Sequence, residues 1–151
     1  DEAMYIRQSK RLNEVIDTSG DQVPVADARV LVAEDHPLNR AFIQRQLDVM
    51  GFKNVEIVAN GLLAFEAMTE NAYDLILMDC QMPEMSGYEA TEKVRKHEDG
   101  TDTHRPIIAL TANAMEEDRQ KCIDCGMDEF VSKPVDADEL KHILSKWVAF
   151  G

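Results

Sequence analysis

Val30-Leu31-Val32-Ala33-Glu34-Asp35 is a run of four apolar residues closed by two acids, and Leu75-Ile76-Leu77-Met78-Asp79 repeats the plan with one acid. A short apolar run without alternation is what a strand looks like when both of its faces are covered, as in a parallel sheet flanked by helices. Working outward, Val55 to Val58, Ile107 to Leu110 and Phe130 to Val131 supply three more such runs. Between and after them lie longer amphipathic stretches, expected as helices over Leu38 to Met50, Gly61 to Glu70, Gly87 to Lys96, Met115 to Cys125 and Asp136 to Val148. Strand and helix alternate five times, so the expected fold class is α/β, a doubly wound five-stranded parallel sheet with helices on both faces.

Ahead of the first strand the chain has a different character. Glu2 to Ile16 can be drawn as a helix with a thin apolar stripe, and Asp17 to Pro24 has the polar, Gly- and Pro-containing composition of a linker. The domain boundary is expected near Asp27, with residues 1–27 a helix and linker to an absent upstream domain and residues 28–151 the folded unit. Starting at Asp1 without an initiator methionine, the sequence reads as a segment of a longer polypeptide.

At 151 residues the chain has room for one domain with a substantial core. A formal charge of −13 repels a phosphate backbone, so direct nucleic-acid binding is not expected. No apolar run is long enough to cross a bilayer, so no membrane contact by this chain is expected, and the reading is cytoplasmic, alone or as the cytoplasmic part of a larger membrane-bound protein. Three cysteines, Cys80, Cys122 and Cys125, are an odd set in a chain that needs no staples, which favours a reducing compartment. Cys122 and Cys125 form a CxxC without a second ligand pair, so zinc is not expected, and the pair reads as two half-buried helix positions, with a redox role as the alternative.

The chemistry sits where the strands stop. Glu34 and Asp35 follow the first run, Asp79 the third, Thr111 the fourth and Lys133 the fifth. Parallel strands point the same way, so these residues gather at one rim, where open α/β sheets place their ligands. In the order 2-1-3-4-5 the first and third strands are neighbours, and the three carboxylates converge. Such a cluster calls for a hard divalent cation with oxygen ligands, and Mg2+ fits because it leaves positions for water and phosphate oxygens. Lys133 adds a point charge and Thr111 a hydroxyl, both suited to phosphoryl oxygens.

Val30-Leu31-Val32-Ala33-Glu34-Asp35, Met78-Asp79-Cys80-Gln81-Met82-Pro83-Glu84-Met85-Ser86-Gly87, Ala109-Leu110-Thr111-Ala112 and Ser132-Lys133-Pro134 together resemble the receiver domains of two-component response regulators, over roughly Arg29 to Trp147. The run Leu110 to Met115, with Asp79 to Pro83, is most similar to receivers of hybrid sensor histidine kinases. The resemblance implies a flavodoxin-like fold and a phosphorelay role. Asp79 becomes the phosphoacceptor, taking its phosphoryl group from the phosphohistidine of a histidine kinase domain or a histidine phosphotransfer protein. Asp35, Asp79 and the backbone carbonyl of Gln81 become direct Mg2+ ligands, with Glu34 holding the ion through water. Glu34 departs from the family's usual Asp-Asp pair. Lys133 pairs with the phosphoryl group, Thr111 turns toward it, and Phe130 takes the aromatic switch position without a tyrosine hydroxyl. The Lys133-Pro134 bond is expected to be cis. Gln81 and Asn113 flank the approach of a hydrolytic water and tune the phosphoryl lifetime, and the resemblance implies a phosphoacceptor with slow self-dephosphorylation rather than a turnover enzyme.

Taken singly, each residue has a plainer reading. Asp79 could cap the following segment, and Glu34 with Asp35 could be solvated acids near a helix N-terminus. Phe130 could be simple core. Two other classes share parts of this pattern. A haloacid-dehalogenase-type phosphatase would need a second aspartate where Gln81 stands and a cap insertion. A receiver-like interaction module independent of phosphate would usually lack an acid, the acceptor or the lysine, and all are present.

Overall fold

Side chains alternate faces along a strand, so Val30 and Val32 go to one side of a sheet while Leu31 and Ala33 go to the other. Both sets are fully buried here. The structure, a computed structural model, describes residues 22–112 and 115–150; the helix expected over Glu2 to Ile16 and the position of Asn113 lie outside them. The elements in order are β1 (Val23–Pro24), β2 (Arg29–Ala33), α1 (Pro37–Met50), β3 (Asn54–Val58), α2 (Gly61–Glu70), β4 (Leu75–Asp79), α3 (Gly87–Glu98), β5 (Ile107–Thr111), α4 (Glu116–Cys125), β6 (Glu129–Ser132), α5 (Ala137–Leu144) and β7 (Val148–Ala149).

The central sheet has the order β3-β2-β4-β5-β6, all parallel, which is the expected doubly wound, flavodoxin-like arrangement. Two cores follow from the alternation. Val30, Val32, Leu75, Leu77, Ile108 and Leu110 pack against Ile43 and Leu47 of α1 and Leu140, Ile143 and Leu144 of α5. On the other face Leu31, Ile76, Met78, Ile107 and Ala109 meet Ala64 and Met68 of α2, Ala90 and Val94 of α3, and Cys122 and Cys125 of α4.

Local chemistry sets the helix ends. His36 caps α1, its Nδ1 accepting from the Leu38 amide at 3.3 Å, and Pro37 occupies the first turn, where a missing N–H costs nothing. Ser86 and Glu89 form a capping box at the start of α3. At the rim opposite the strand ends of interest, buried Glu98 pairs with Arg95 at 2.8 Å and Arg105 at 2.9 Å, and Asp128 with Arg95 at 3.0 Å and His104 at 2.7 Å. That network ties α3 to the start of β5.

Two expectations need correction. The last helix stops at Leu144 rather than Val148, and Val148–Ala149 forms β7, paired in parallel with Val23–Pro24 of β1. Trp147 and Val148 continue the helical spacing of Leu140 and Leu144, so periodicity overshoots. What ends the helix pattern is a partner far away in sequence: the Val23 amide donates to the Trp147 carbonyl at 3.2 Å and the Val25 amide to that of Ala149 at 2.9 Å. The linker reading accordingly fails at Val23 and Pro24, and the packed structure takes in residues ahead of Asp27. Pro24 fits there because the ladder draws its donors from Val23 and Val25.

Gly87 positions the end of β4. A Cβ at this residue would lie 2.1 Å from the Asp79 carbonyl oxygen and 2.9 Å from Met78 Cγ. The nearer obstacle is backbone, so it cannot rotate away. Gly87→Ala is expected to destabilise the fold by about 1–3 kcal/mol, read by urea denaturation; unchanged stability would show that the loop after Asp79 yields freely.

Candidate functional site

β2 and β4 are hydrogen-bonded neighbours, with Ala33 opposite Met78, so the acids that follow them emerge side by side. Carboxylate oxygens of Glu34, Asp35 and Asp79 all lie within 4.8 Å of one another. Asp35 is exposed, whereas Glu34 is 0% and Asp79 4% exposed. Lys133 enters from the end of β6, its amide donating to the Thr111 carbonyl at 2.8 Å, and the Lys133-Pro134 peptide is cis. Its Nζ bridges the buried acids, 3.0 Å from Glu34 Oε1 and 3.2 Å from Asp79 Oδ2.

Burial pushes the Asp79 carboxyl up from an ordinary 3.8 to about 6, and the neighbouring Glu34 charge adds to this; the Lys133 charge and the Gln81 amide work against the rise. For Glu34 burial also acts upward, but the Lys133 ammonium 3.0 Å away and the His36 amide outweigh it and hold Glu34 below its usual range. Burial works against the Lys133 ammonium, yet the Glu34 and Asp79 carboxylates beside it raise its pKa. Glu34 thus has the closer partner, and Asp79 carries the unresolved charge.

With every group ionised the site holds three negative charges and one positive. Glu34 Oε1 is buried and makes no aligned hydrogen bond, its contact with Nζ being an ion pair by distance alone. A donor set of hard oxygens in charge excess fits a small divalent cation.

The remaining residues fall around this centre. The exposed Gln81 folds back, its amide donating to Asp79 Oδ1 at 3.2 Å. Thr111 is buried at the end of β5, opposite Ser132. Phe130 is half-buried beside the second core, one strand position from Val131, with the Arg119 guanidinium 4.8 Å from its ring centre. His36 caps a helix, and His104 belongs to the opposite rim.

Arg40 escaped the sequence reading. Its Nη1 donates to the Glu34 carbonyl at 3.2 Å and the Asp35 carbonyl at 3.0 Å, fixing the backbone that presents both acids. A signal was there: a cation in the first turn of a helix is disfavoured by the macrodipole and calls for a compensating acceptor.

The model of the response regulator receiver domain family matches residues 30–145. The chain is 37% identical over 119 residues to the sensor histidine kinase RcsC of Salmonella typhi, covering 79% of this chain and 12% of that protein. It is 39% identical over 120 residues to the sensor protein GacS of Pseudomonas syringae, covering 79% of this chain and 13% of that one. The chain therefore spans about an eighth of the length of these relatives. Among solved structures, the receiver domain of a sensor histidine kinase from Pseudomonas aeruginosa, crystallised with a magnesium ion in its active-site cleft, superposes with a TM-score of 0.71 at 39% identity, covering 80% of this chain and 96% of that one. The structure of the Saccharomyces cerevisiae response regulator Ssk1 receiver with the histidine phosphotransfer protein Ypd1 gives 0.74 at 28%, covering 82% and 90%. Among the described residues no helix is long and apolar enough to cross a membrane. With three carboxylates and a lysine at the strand ends, and a family match across nearly all of the central sheet, this chain belongs to the response regulator receiver domain family.

Proposed function

We propose that this domain accepts a phosphoryl group on Asp79 from a phosphohistidine, in a Mg2+-dependent step, and passes the change on as a conformational signal. The observation that carries the reading is the Lys133 ammonium set between Glu34 and Asp79, with Asp35 completing the acidic cluster. Asp35, Asp79 and the Gln81 carbonyl would hold the ion directly and Glu34 through water; when bound, it supplies charge neutralisation for the acids and the incoming phosphoryl oxygens.

Asp79 attacks phosphorus through a carboxylate oxygen as the P–N bond to the donor imidazole breaks, and the imidazole leaves to take up a proton. Lys133 meets the phosphoryl charge that develops. Thr111 supplies a hydroxyl to a phosphoryl oxygen, and Phe130 moves with it, shifting an equilibrium between surface conformations. Water attack on phosphorus releases phosphate and resets the domain, at a rate that Gln81 and Asn113 tune.

Incubation with acetyl phosphate or phosphoramidate, followed by intact mass, tests this directly. The expected result is one added phosphoryl group, dependent on Mg2+ and lost in Asp79→Asn. No adduct from any small donor or phosphotransfer protein would sink the reading in favour of a phosphate-independent interaction module.

For the protein donor we propose a docking face on α1, beside the site. Leu38 is 75% and Phe42 47% exposed, one helical turn apart. Phe42 also lines a shallow hollow with Asn39, Ile43 and the Lys133-Pro134-Val135 segment. An apolar patch on that rim suits a histidine phosphotransfer protein or a kinase's histidine-bearing helices. Phe42→Asp is expected to slow transfer from a phosphorylated histidine phosphotransfer protein by about tenfold or more, the loss of roughly one buried aromatic anchor. Acetyl phosphate labelling should be unchanged, and equal loss with both donors would move the defect from docking to the site.

A further inference from the structure

Helix α4 buries two of its ten residues, Cys122 and Cys125. The other helices on the same face use larger groups as well, Met68 in α2 and Val94 in α3. Two thiols cover little apolar area, so α4 is the element on that face that opens at least cost. Under it lies Cys80, directly after Asp79 and 1% exposed, with its Sγ 4.0 Å from that of Cys122. Cys125 is differently engaged, its thiol donating to the Cys122 carbonyl at 3.3 Å. The CxxC spacing is therefore not what matters: the paired thiols come from β4's loop and α4. The half-buried Tyr88 packs against the cluster that holds both thiols.

We propose that Cys80 and Cys122 are a redox pair, converted by a hydroperoxide into a disulfide that ties α4 to the end of β4. One sulfur, as thiolate, takes the distal peroxide oxygen; the O–O bond breaks, water or an alcohol leaves, and a sulfenic acid remains. The second thiol attacks that sulfur, the S–O bond breaks and water leaves. Two thiols lose two electrons and two protons, and the hydroperoxide is reduced by the same two electrons. The sulfurs, now 4.0 Å apart, would close to a bond of about 2.05 Å. The crosslink stands on geometry alone. Its effect on signalling rests on the proposed phosphoacceptor role: an α4 tied down beside Asp79 cannot take part in the conformational change.

The test treats the purified protein with hydrogen peroxide, blocks remaining thiols with N-ethylmaleimide under denaturing conditions, and maps crosslinked peptides by mass. A Cys80–Cys122 link is expected in wild type and in Cys125→Ala, absent from Cys80→Ala and Cys122→Ala, and reversed by dithiothreitol. Amide exchange across α4 should slow by about tenfold or more in the oxidised protein. A Cys122–Cys125 link, sulfinic acid without a crosslink, or unchanged exchange in α4 would each overturn the proposal. None of these readouts involves phosphate, so failure here and failure of Asp79 to accept a phosphoryl group are told apart.

Discussion

In Mg2+-free buffer at pH 7.5, Asp79→Asn is expected to be more stable than the wild type by about 2 kcal/mol, an upper figure of about 3 following from 1.36 kcal/mol per pKa unit. The reason is the raised carboxyl, at about 6 against an ordinary 3.8. A carboxyl with a raised folded pKa binds its proton more tightly in the native state, so the native state is favoured at low pH and loses that advantage as pH climbs through roughly 4 to 6. Above that window wild type holds the unfavourable charge in full, and the asparagine variant does not. The gap should shrink toward zero below about pH 4. Added Mg2+ should reverse the order, since a ligand at a hundred times its dissociation constant contributes about 2.7 kcal/mol to wild type, and the variant lacks one ligand. Urea denaturation at three pH values, with EDTA or Mg2+, measures all of this. A variant less stable than wild type at pH 7.5 would mean that the Lys133 pairing outweighs burial.

Lys133→Met should act in the opposite direction, and more strongly. Methionine keeps most of the stem's bulk and removes the ammonium that sits 3.0 Å from Glu34 and 3.2 Å from Asp79. A fully buried carboxylate is then left without its cation, which costs about 3–5 kcal/mol at pH 8. The loss should ease as pH falls and the acids take up protons, and also as Mg2+ is added. Labelling by acetyl phosphate should slow on the order of a hundredfold, the scale of losing one charge-stabilising donor. Unaltered stability at pH 8 would show Glu34 already protonated in the native protein.

Much of this was legible because the relevant signals are local. A continuous apolar run announces a doubly covered strand, and the residue ending it must lie on the ligand-bearing rim, which is why Glu34, Asp79, Thr111 and Lys133 group together from sequence alone. The strand ends themselves came out one residue longer at Asp79 and Thr111, since a polar residue closing a ladder carries no apolar mark. What escaped depends on distant partners. Nothing in Trp147-Val148 says that Val23 will pair with it, and nothing in Cys122 points to Cys80 rather than to Cys125. Phe130 shows the same limit: its strand was visible, but the guanidinium over its ring comes from Arg119, eleven residues back on the preceding helix, and is set by tertiary packing.

The small parallel sheet of β1 and β7 also decides how this domain meets mechanical force. Gln22 leads into one strand and Phe150 follows the other, and because the strands run in the same direction these points lie at opposite ends of the ladder. Tension applied between them slides the strands lengthwise, straining both cross-strand hydrogen bonds at once instead of peeling them in turn. The Phe150 ring, set edge-on to Phe52 at 5.8 Å, resists the same displacement. A pull along the backbone is therefore taken up at this clasp before it reaches the strands that carry Glu34 and Asp79.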